Sequence, residues 1–211
     1  MRIAFKYAES EKPGACHIDL PTNVAKMKVT PGLAEVPISK PKCPKEYASF
    51  SSIDQAAALI YKAKHPVILA GHSAVRNHAG AALTAFADEL KIPVVNTMMS
   101  KGIIPYKNKY SMWTIGIPQK DYQNKILDEA DLVIAVGYDI VEFAPGKWNE
   151  GGKHQILHID QRPAHINMLY QPQVQVIGDI SYSLQQIQYR SEAKKEPDEI
   201  LKLKEEMVNE Y

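Results

Sequence analysis

The run Asp131-Leu132-Val133-Ile134-Ala135-Val136, with Gly137 directly behind it, decides the fold. An unbroken apolar stretch of this kind is what a strand buried on both faces of a parallel sheet carries, so it reads as a central strand. A helical stretch from about Asp121 to Glu129 leads into it. Upstream, Val67-Ile68-Leu69-Ala70 reads as the first strand of the same sheet. It follows a helix that Ser52 can cap, with Ile53, Ala56, Ala57 and Ile60 at helical spacing, and His65-Pro66 ends that helix. Gly71 stands right after the strand, a helix is expected from about Asn77 to Leu90, and Pro93-Val94-Val95-Asn96 is the next strand. Downstream, Gln155 to Ile159 and Val174 to Ile177 are two further strands, the last followed by Gly178 and a helix that Asp179 caps and that runs to about Arg190. This alternation predicts an α/β chain: a Rossmann-like open parallel sheet of about five to six strands with helices on both faces and right-handed crossovers.

The flanks read differently. Ile3 to Ser10 reads as the end of a helix, Lys12-Pro13-Gly14 as a turn, and Ala15 to Leu20 alternates like a short strand that has no sequential partner. Pro21, Pro31, Pro37, Pro41 and Pro44 then fall in a stretch with little apolar periodicity, which has the composition of an extended linker. The segment before Ser52 is therefore expected to pack poorly. The tail from Ser191 is charge-rich, but Ile200, Leu203 and Met207 form a thin apolar stripe, and it reads as a surface helix or a linker.

Composition excludes several classes. The 211 residues suit one buried core plus appendages, and 25 Lys and Arg against 24 Asp and Glu leave a net charge of +1. That balance provides no footprint for nucleic acid or for an anionic membrane. Cys16 and Cys43, the only two cysteines, lack zinc spacing and suggest no disulfide framework. No apolar run reaches the roughly 20 residues of a membrane span and no secretory signal core is present, so a cytoplasmic location is expected.

In an open α/β sheet, ligands sit at the carboxyl ends of the strands, so the crevice candidates lie in the loops there: Gly71, His72, Ser73, Ser100, Gly102, Gly137, Tyr138 and Asp160. The first of these loops has no Gly-x-Gly-x-x-Gly, although free amides at a helix start there could hold an anion. His154, His158 and His165 have no accompanying Cys or carboxylate in a recognisable ligand pattern, and no metal site is assigned. Asp139 and Glu142 could be an acid/base pair, but carboxylates so placed more often cap backbone amides. Trp113 and Trp148 stand in loop-like stretches and could line a ligand slot or an interface.

Specific segments resemble the thiamine-diphosphate-dependent decarboxylases and synthases. Lys12-Pro13-Gly14-Ala15-Cys16-His17-Ile18-Asp19-Leu20-Pro21-Thr22-Asn23-Val24 is similar to the segment that ends their pyrimidine-binding domain. His65 to Gly71, Ser100-Lys101-Gly102-Ile103-Ile104-Pro105, Ala130 to Gly137 and His158-Ile159-Asp160 resemble successive segments of their central domain. Within the family, Gly137 to Phe143 followed by Trp148-Asn149 looks most like catabolic acetolactate synthase, which condenses two pyruvates to 2-acetolactate with loss of carbon dioxide. The resemblance implies a layout of 1–24 as the end of a pyrimidine-binding domain, 25–50 as linker, 51–190 as the central Rossmann-like domain and 191–211 as a linker or helix. It also implies that the thiamine diphosphate and Mg2+ sites lie outside this chain, in missing pyrimidine-binding and diphosphate-binding domains. The chain alone is then expected to be inactive, with no catalytic residue of its own and a homo-oligomeric parent. Biosynthetic relatives carry FAD in this domain, with Arg-Phe-Asp-Asp after the glycine matching Gly137 and several glycines before the preceding helix. This sequence has Asp139-Ile140-Val141-Glu142, and Trp113 to Lys120 keeps only Gly116, so FAD is not expected. The alternative is a nucleotide-binding central domain that takes FAD or ADP.

Overall fold

The computed structural model describes residues 2–29, 45–116 and 122–209, which divide into two compact units at Lys45/Glu46. The first unit holds helices α1 (Arg2–Glu9) and α2 (Thr22–Ala25). Residues 15–20, whose alternation suggested a strand, form none, and Ile18 and Leu20 are exposed. An isolated strand has no ladder to complete, and among the described residues of this unit none offers it one. Ile3, Phe5 and Tyr7 of α1 are exposed as well. Most of the proline-rich stretch, residues 30–44, lies outside the described residues, as do 117–121.

The second unit runs α3 (Phe50–Lys62), β1 (Pro66–Ala70), α4 (His72–Arg76), α5 (Gly80–Leu90), β2 (Val94–Asn96), β3 (Ser111–Thr114), α6 (Tyr122–Asp128), β4 (Leu132–Val136), β5 (Gln155–Asp160), β6 (Val174–Ile177), α7 (Ile180–Tyr189) and α8 (Asp198–Asn209). All six strands are parallel, in the order β3-β2-β1-β4-β5-β6. β1 and β4 are fully buried neighbours at the centre, as the apolar run predicts, with Ile68 opposite Ile134. Alternate residues feed two cores. Ile68, Val94, Ile134 and Leu157 pack under Ile53, Leu83, Phe86 and Leu184 of α3, α5 and α7. Val67, Leu69, Val133, Ala135 and Ile156 face Ile126, Tyr138, Trp148, Tyr170 and Ile200 on the other side. Asp131 earns its place at the start of β4: its carboxylate accepts from the Lys64 and His65 amides at 2.6 and 2.9 Å, tying the entry of β4 to that of β1.

Several boundaries differ from the sequence reading for reasons of long-range contact. The cap of α3 is Ser49, whose Oγ accepts from the Ser52 amide at 3.2 Å, so Ser52 lies inside the first turn. Residues 46–49 are already packed: Ala48 is buried, Tyr47 lies against Tyr182 and Glu46 O accepts from the Asp179 amide. The helix expected from about Asn77 to Leu90 is α5, which starts at Gly80 just behind the left-handed His78 (φ 54°), and a separate short helix, α4, occupies His72–Arg76 before it. β3 falls in a stretch that reads as loop from the sequence; it is short, and its pairing with β2 shifts register around Trp113, whose φ is 64°.

The tail is fastened. Lys194 Nζ donates to the Tyr61 and Ala63 carbonyls at 2.9 and 2.8 Å, closing the exposed end of α3. Glu196 meets Lys109 and Lys91 Nζ and accepts from Tyr110 Oη at 2.9 Å. α8 buries Ile200 and Met207, two of the three stripe residues, and the third, Leu203, packs against the same core from a partly buried position. Among the described residues no helix is long and apolar enough to cross a membrane.

Candidate functional site

The carboxyl ends of β1, β2, β4 and β5 bring together seven of the eight crevice candidates, and hydrogen bonds within the chain occupy them. Ser73 Oγ donates to Asp160 Oδ1 at 2.6 Å, and both residues are buried. Ser100 Oγ donates to the Ala70 carbonyl at 2.6 Å, pinning the loop after β2 onto the end of β1. The Ser73 amide donates to the Gly137 carbonyl at 2.9 Å. Tyr138 Oη donates to the Phe143 carbonyl and accepts from Trp148 Nε1 at 3.1 Å, and burial pushes its phenol well above the ordinary range. Gly102 is the exception: it forms an exposed turn at φ 87° with open space around it.

Gly71 and Gly137 sit at the switch point of the sheet, between β1 and β4, and they interlock. A Cβ on Gly71 would lie 2.4 Å from Tyr138 Cα and 2.9 Å from Glu142 Oε1; one on Gly137, whose φ is 61°, would lie 2.2 Å from the Ala74 nitrogen. Here the glycines serve close packing of two loops of the chain on each other.

Glu142 fills the space above them. Its Oε1 and Oε2 accept from the His72 amide at 3.0 and 2.9 Å, Oε2 from Thr97 Oγ1 at 2.6 Å, and Oε1 from the Asp139 amide at 3.2 Å. The carboxylate of the Asp139–Glu142 pair thus does what a capping group does, and Asp139 Oδ1 likewise accepts from the Val141 amide at 3.1 Å. Sequence reading placed Glu142 in the right loop without its partners, because His72 lies 70 residues upstream. Thr97 opens the crevice loop after β2, and nothing local marks it as a partner of Glu142.

The histidines and tryptophans divide between core and surface. His154 precedes β5, is buried and pairs Nδ1 with the Ala130 carbonyl at 2.8 Å. His158, also buried, pairs Nδ1 with Tyr170 Oη at 2.9 Å and Nε2 with the Arg162 carbonyl at 3.0 Å, and burial lowers its pKa. His165 is exposed, with Nδ1 3.8 Å from Asp139 Oδ1. Among the described residues no group of three His, Cys, Asp or Glu side chains is placed to hold a metal ion. Trp148 is a core residue, edge-on to Tyr138 and Tyr170, and lines no slot. Trp113 stacks on exposed Tyr106 with ring centroids 4.8 Å apart.

Two further surfaces frame the crevice. Met98 and Met99, directly after β2, and Val141, in the loop after β4, are exposed at the carboxyl ends of the strands; Tyr106, Ile166 and Met168, farther along the β2–β3 and β5–β6 connections, are exposed as well. At the opposite end, a cavity of about 740 Å³ lies between the entries of β1 and β2, the end of α6, and residues 192–200 of the tail.

Comparison with known proteins bears directly on this domain. Residues 53–187 match the family model described as thiamine pyrophosphate enzyme, central domain. Acetolactate synthase of Bacillus subtilis is 30% identical over 188 residues, covering 88% of this chain and 32% of that protein. A probable acetolactate synthase large subunit of Methanocaldococcus jannaschii is 32% identical over 192 residues, 84% of this chain and 31% of its own length. Glyoxylate carboligase of Escherichia coli O157:H7 is 31% identical over 191 residues, with shares of 87% and 31%. The chain thus spans about a third of the length of the curated relatives it matches.

Proposed function

The chain belongs to the thiamine pyrophosphate enzyme central-domain family, and from that membership we propose that it is the middle part of an acetolactate synthase polypeptide, whose reaction joins two pyruvates into 2-acetolactate and releases carbon dioxide. The observation that carries this reading is the likeness to acetolactate synthases over more than four-fifths of the chain, laid on a six-stranded parallel sheet in the matched region. Thiamine diphosphate chemistry needs a deprotonated thiazolium carbon and a diphosphate clamped through a divalent metal such as Mg2+. The chain spans about a third of its relatives' length, and both sites are assigned to pyrimidine-binding and diphosphate-binding domains of the same polypeptide; no chemical step is assigned here.

On this reading Gly71, His72, Ser73, Ser100, Gly137, Tyr138 and Asp160 shape the carboxyl-end loops and do not hold cofactor. Residues 1–24 belong to the end of the pyrimidine-binding domain, 25–50 link it to the central domain and 191–211 lead onward. The exposed apolar side chains of α1 and of the carboxyl-end loops are the surfaces that the other domains and further copies of the polypeptide cover, in a cytoplasmic homo-oligomer. The filled crevice supports a domain that takes neither FAD nor ADP.

The test is the full-length polypeptide that contains this segment, assayed with thiamine diphosphate and Mg2+. Acetoin colour after acid decarboxylation of the product from pyruvate is expected. Turnover of glyoxylate with none of pyruvate would reassign the parent to carboligase chemistry, and calorimetric binding of thiamine diphosphate by residues 1–211 alone would overturn the domain assignment.

A further inference from the structure

The order β3-β2-β1-β4-β5-β6 places the topological switch between β1 and β4, where a sheet of this kind receives a dinucleotide. The residues at that point do not fit one. The Glu142 carboxylate takes four hydrogen-bond contacts from donors in three segments, those after β1, β2 and β4, at 2.6 to 3.2 Å. A diphosphate brought to the same place would have to displace a carboxylate from these donors, and if the carboxylate stayed close the two anions would repel. Below it the Gly71 and Gly137 backbones leave no room for a single added methyl group, so the floor of the crevice is closed as well as its anion position.

We propose that Glu142 is a built-in stopper of this crevice: its carboxylate stands where a bound dinucleotide would place its diphosphate, and it clamps the loops after β1, β2 and β4 together with no ligand present. Glu142 is on this account a positioning residue. The loops that end β1, β2 and β4 then form one plate whose geometry is independent of nucleotide. This inference rests on the crevice geometry and not on the reaction of the parent, so its test reads no turnover.

The experiment uses the 211-residue chain and its Glu142→Ala and Glu142→Gln forms. Amide hydrogen exchange at His72 and Asp139, thermal midpoints with acetate or with sodium chloride at equal ionic strength, and titration with millimolar FAD and ADP are measured. Wild type is expected to bind neither nucleotide. Glu142→Ala is expected to lose roughly tenfold or more of the protection at His72, the ratio that about 1.4 kcal/mol of lost charged hydrogen bonding implies, and to recover part of it in acetate but not in chloride. Glu142→Gln keeps the shape and loses the charge, so it should fold and show an intermediate loss; it carries the test if the alanine form does not fold. Unchanged protection at His72 and Asp139 in both variants would overturn the clamp. FAD or ADP binding by wild type with new protection in residues 71–76 would overturn the stopper, while leaving the family assignment intact.

Discussion

The interlock of Gly71 and Gly137 can be measured by three substitutions that separate its components. Gly102→Ala meets no atom within 4 Å, so it reports only the cost of a left-handed φ of 87° for a residue with a Cβ, about 1 kcal/mol. Gly71 has no left-handed φ, and its added Cβ lands 2.4 and 2.5 Å from backbone atoms of Tyr138 and Gly137, which cannot swing aside. Forcing two buried loops apart in this way costs about 3 kcal/mol. Gly137→Ala combines both effects, with φ 61° and a Cβ 2.2 Å from the Ala74 nitrogen, and should cost about 4 kcal/mol. For a chain of this size the midpoints should fall by roughly 2–4, 6–12 and 8–16 °C in that order. Urea unfolding followed by far-UV circular dichroism gives the free energies, with an unchanged slope as the sign that only stability has moved. If Gly137→Ala costs no more than Gly102→Ala, the two loops are not packed as described and the closed crevice is wrong.

Three other outcomes follow from the same structure. His158 is buried with a lowered pKa, so the folded chain binds fewer protons there than the unfolded chain. The stability it contributes is present above the ordinary value near 6.5 and is lost as pH falls below it, so unfolding free energy should decline from pH 7 to 5 and decline less in His158→Gln. Glu196 is held near a pKa of about 2 by the Lys109 ammonium, the Tyr110 hydroxyl and Lys91, so its ties survive above the ordinary carboxylate range and loosen as pH drops from about 4.5 toward 2. Amide exchange in residues 191–209 should rise over that interval, and a flat profile would count against the tie. Met207→Ala should cost about 2–3 kcal/mol if α8 is packed as observed, and almost nothing if the tail is a solvated linker.

Most of the sheet was legible because its evidence is local. β1 and β4 carry apolar runs of the kind a doubly covered parallel strand needs, and the alternation of helix and strand leaves few other topologies. What escaped depends on residues far apart in sequence. The His72 amide at the start of α4 is satisfied by a carboxylate 70 positions away, so local capping rules do not announce that short helix. β3 is an edge strand with a left-handed tryptophan, and nothing in Ser111-Met112-Trp113-Thr114 announces that conformation. The rule that loops at strand carboxyl ends converge gathers seven of the eight crevice residues and leaves Gly102 apart. Their roles were not readable, since Ser73, Ser100 and Tyr138 are donors whose acceptors come from other loops or from backbone.

The two ends of the chain show why similar composition can lead to different outcomes. Both are polar and lack long apolar runs. The tail nevertheless carries Ile200, Leu203 and Met207 on one helical face, with Lys194 and Glu196 just before it. The apolar face enters the core beside Ile126 and Trp148, while the charged pair finds carbonyls of α3 on one side and Lys91, Lys109 and Tyr110 on the other. Residues 2–29 have more exposed apolar side chains than the tail buries, among them Ile3, Phe5, Tyr7, Ile18, Leu20, Val24 and Met27, yet among the described residues of their own unit nothing covers them. A helix can satisfy its own backbone and needs only a groove for one stripe, whereas a segment of strand-like alternation needs a hydrogen-bonding edge supplied by other strands. Surface of that kind is retained only when something else covers it, which is why the pyrimidine-binding domain is the partner proposed for this end.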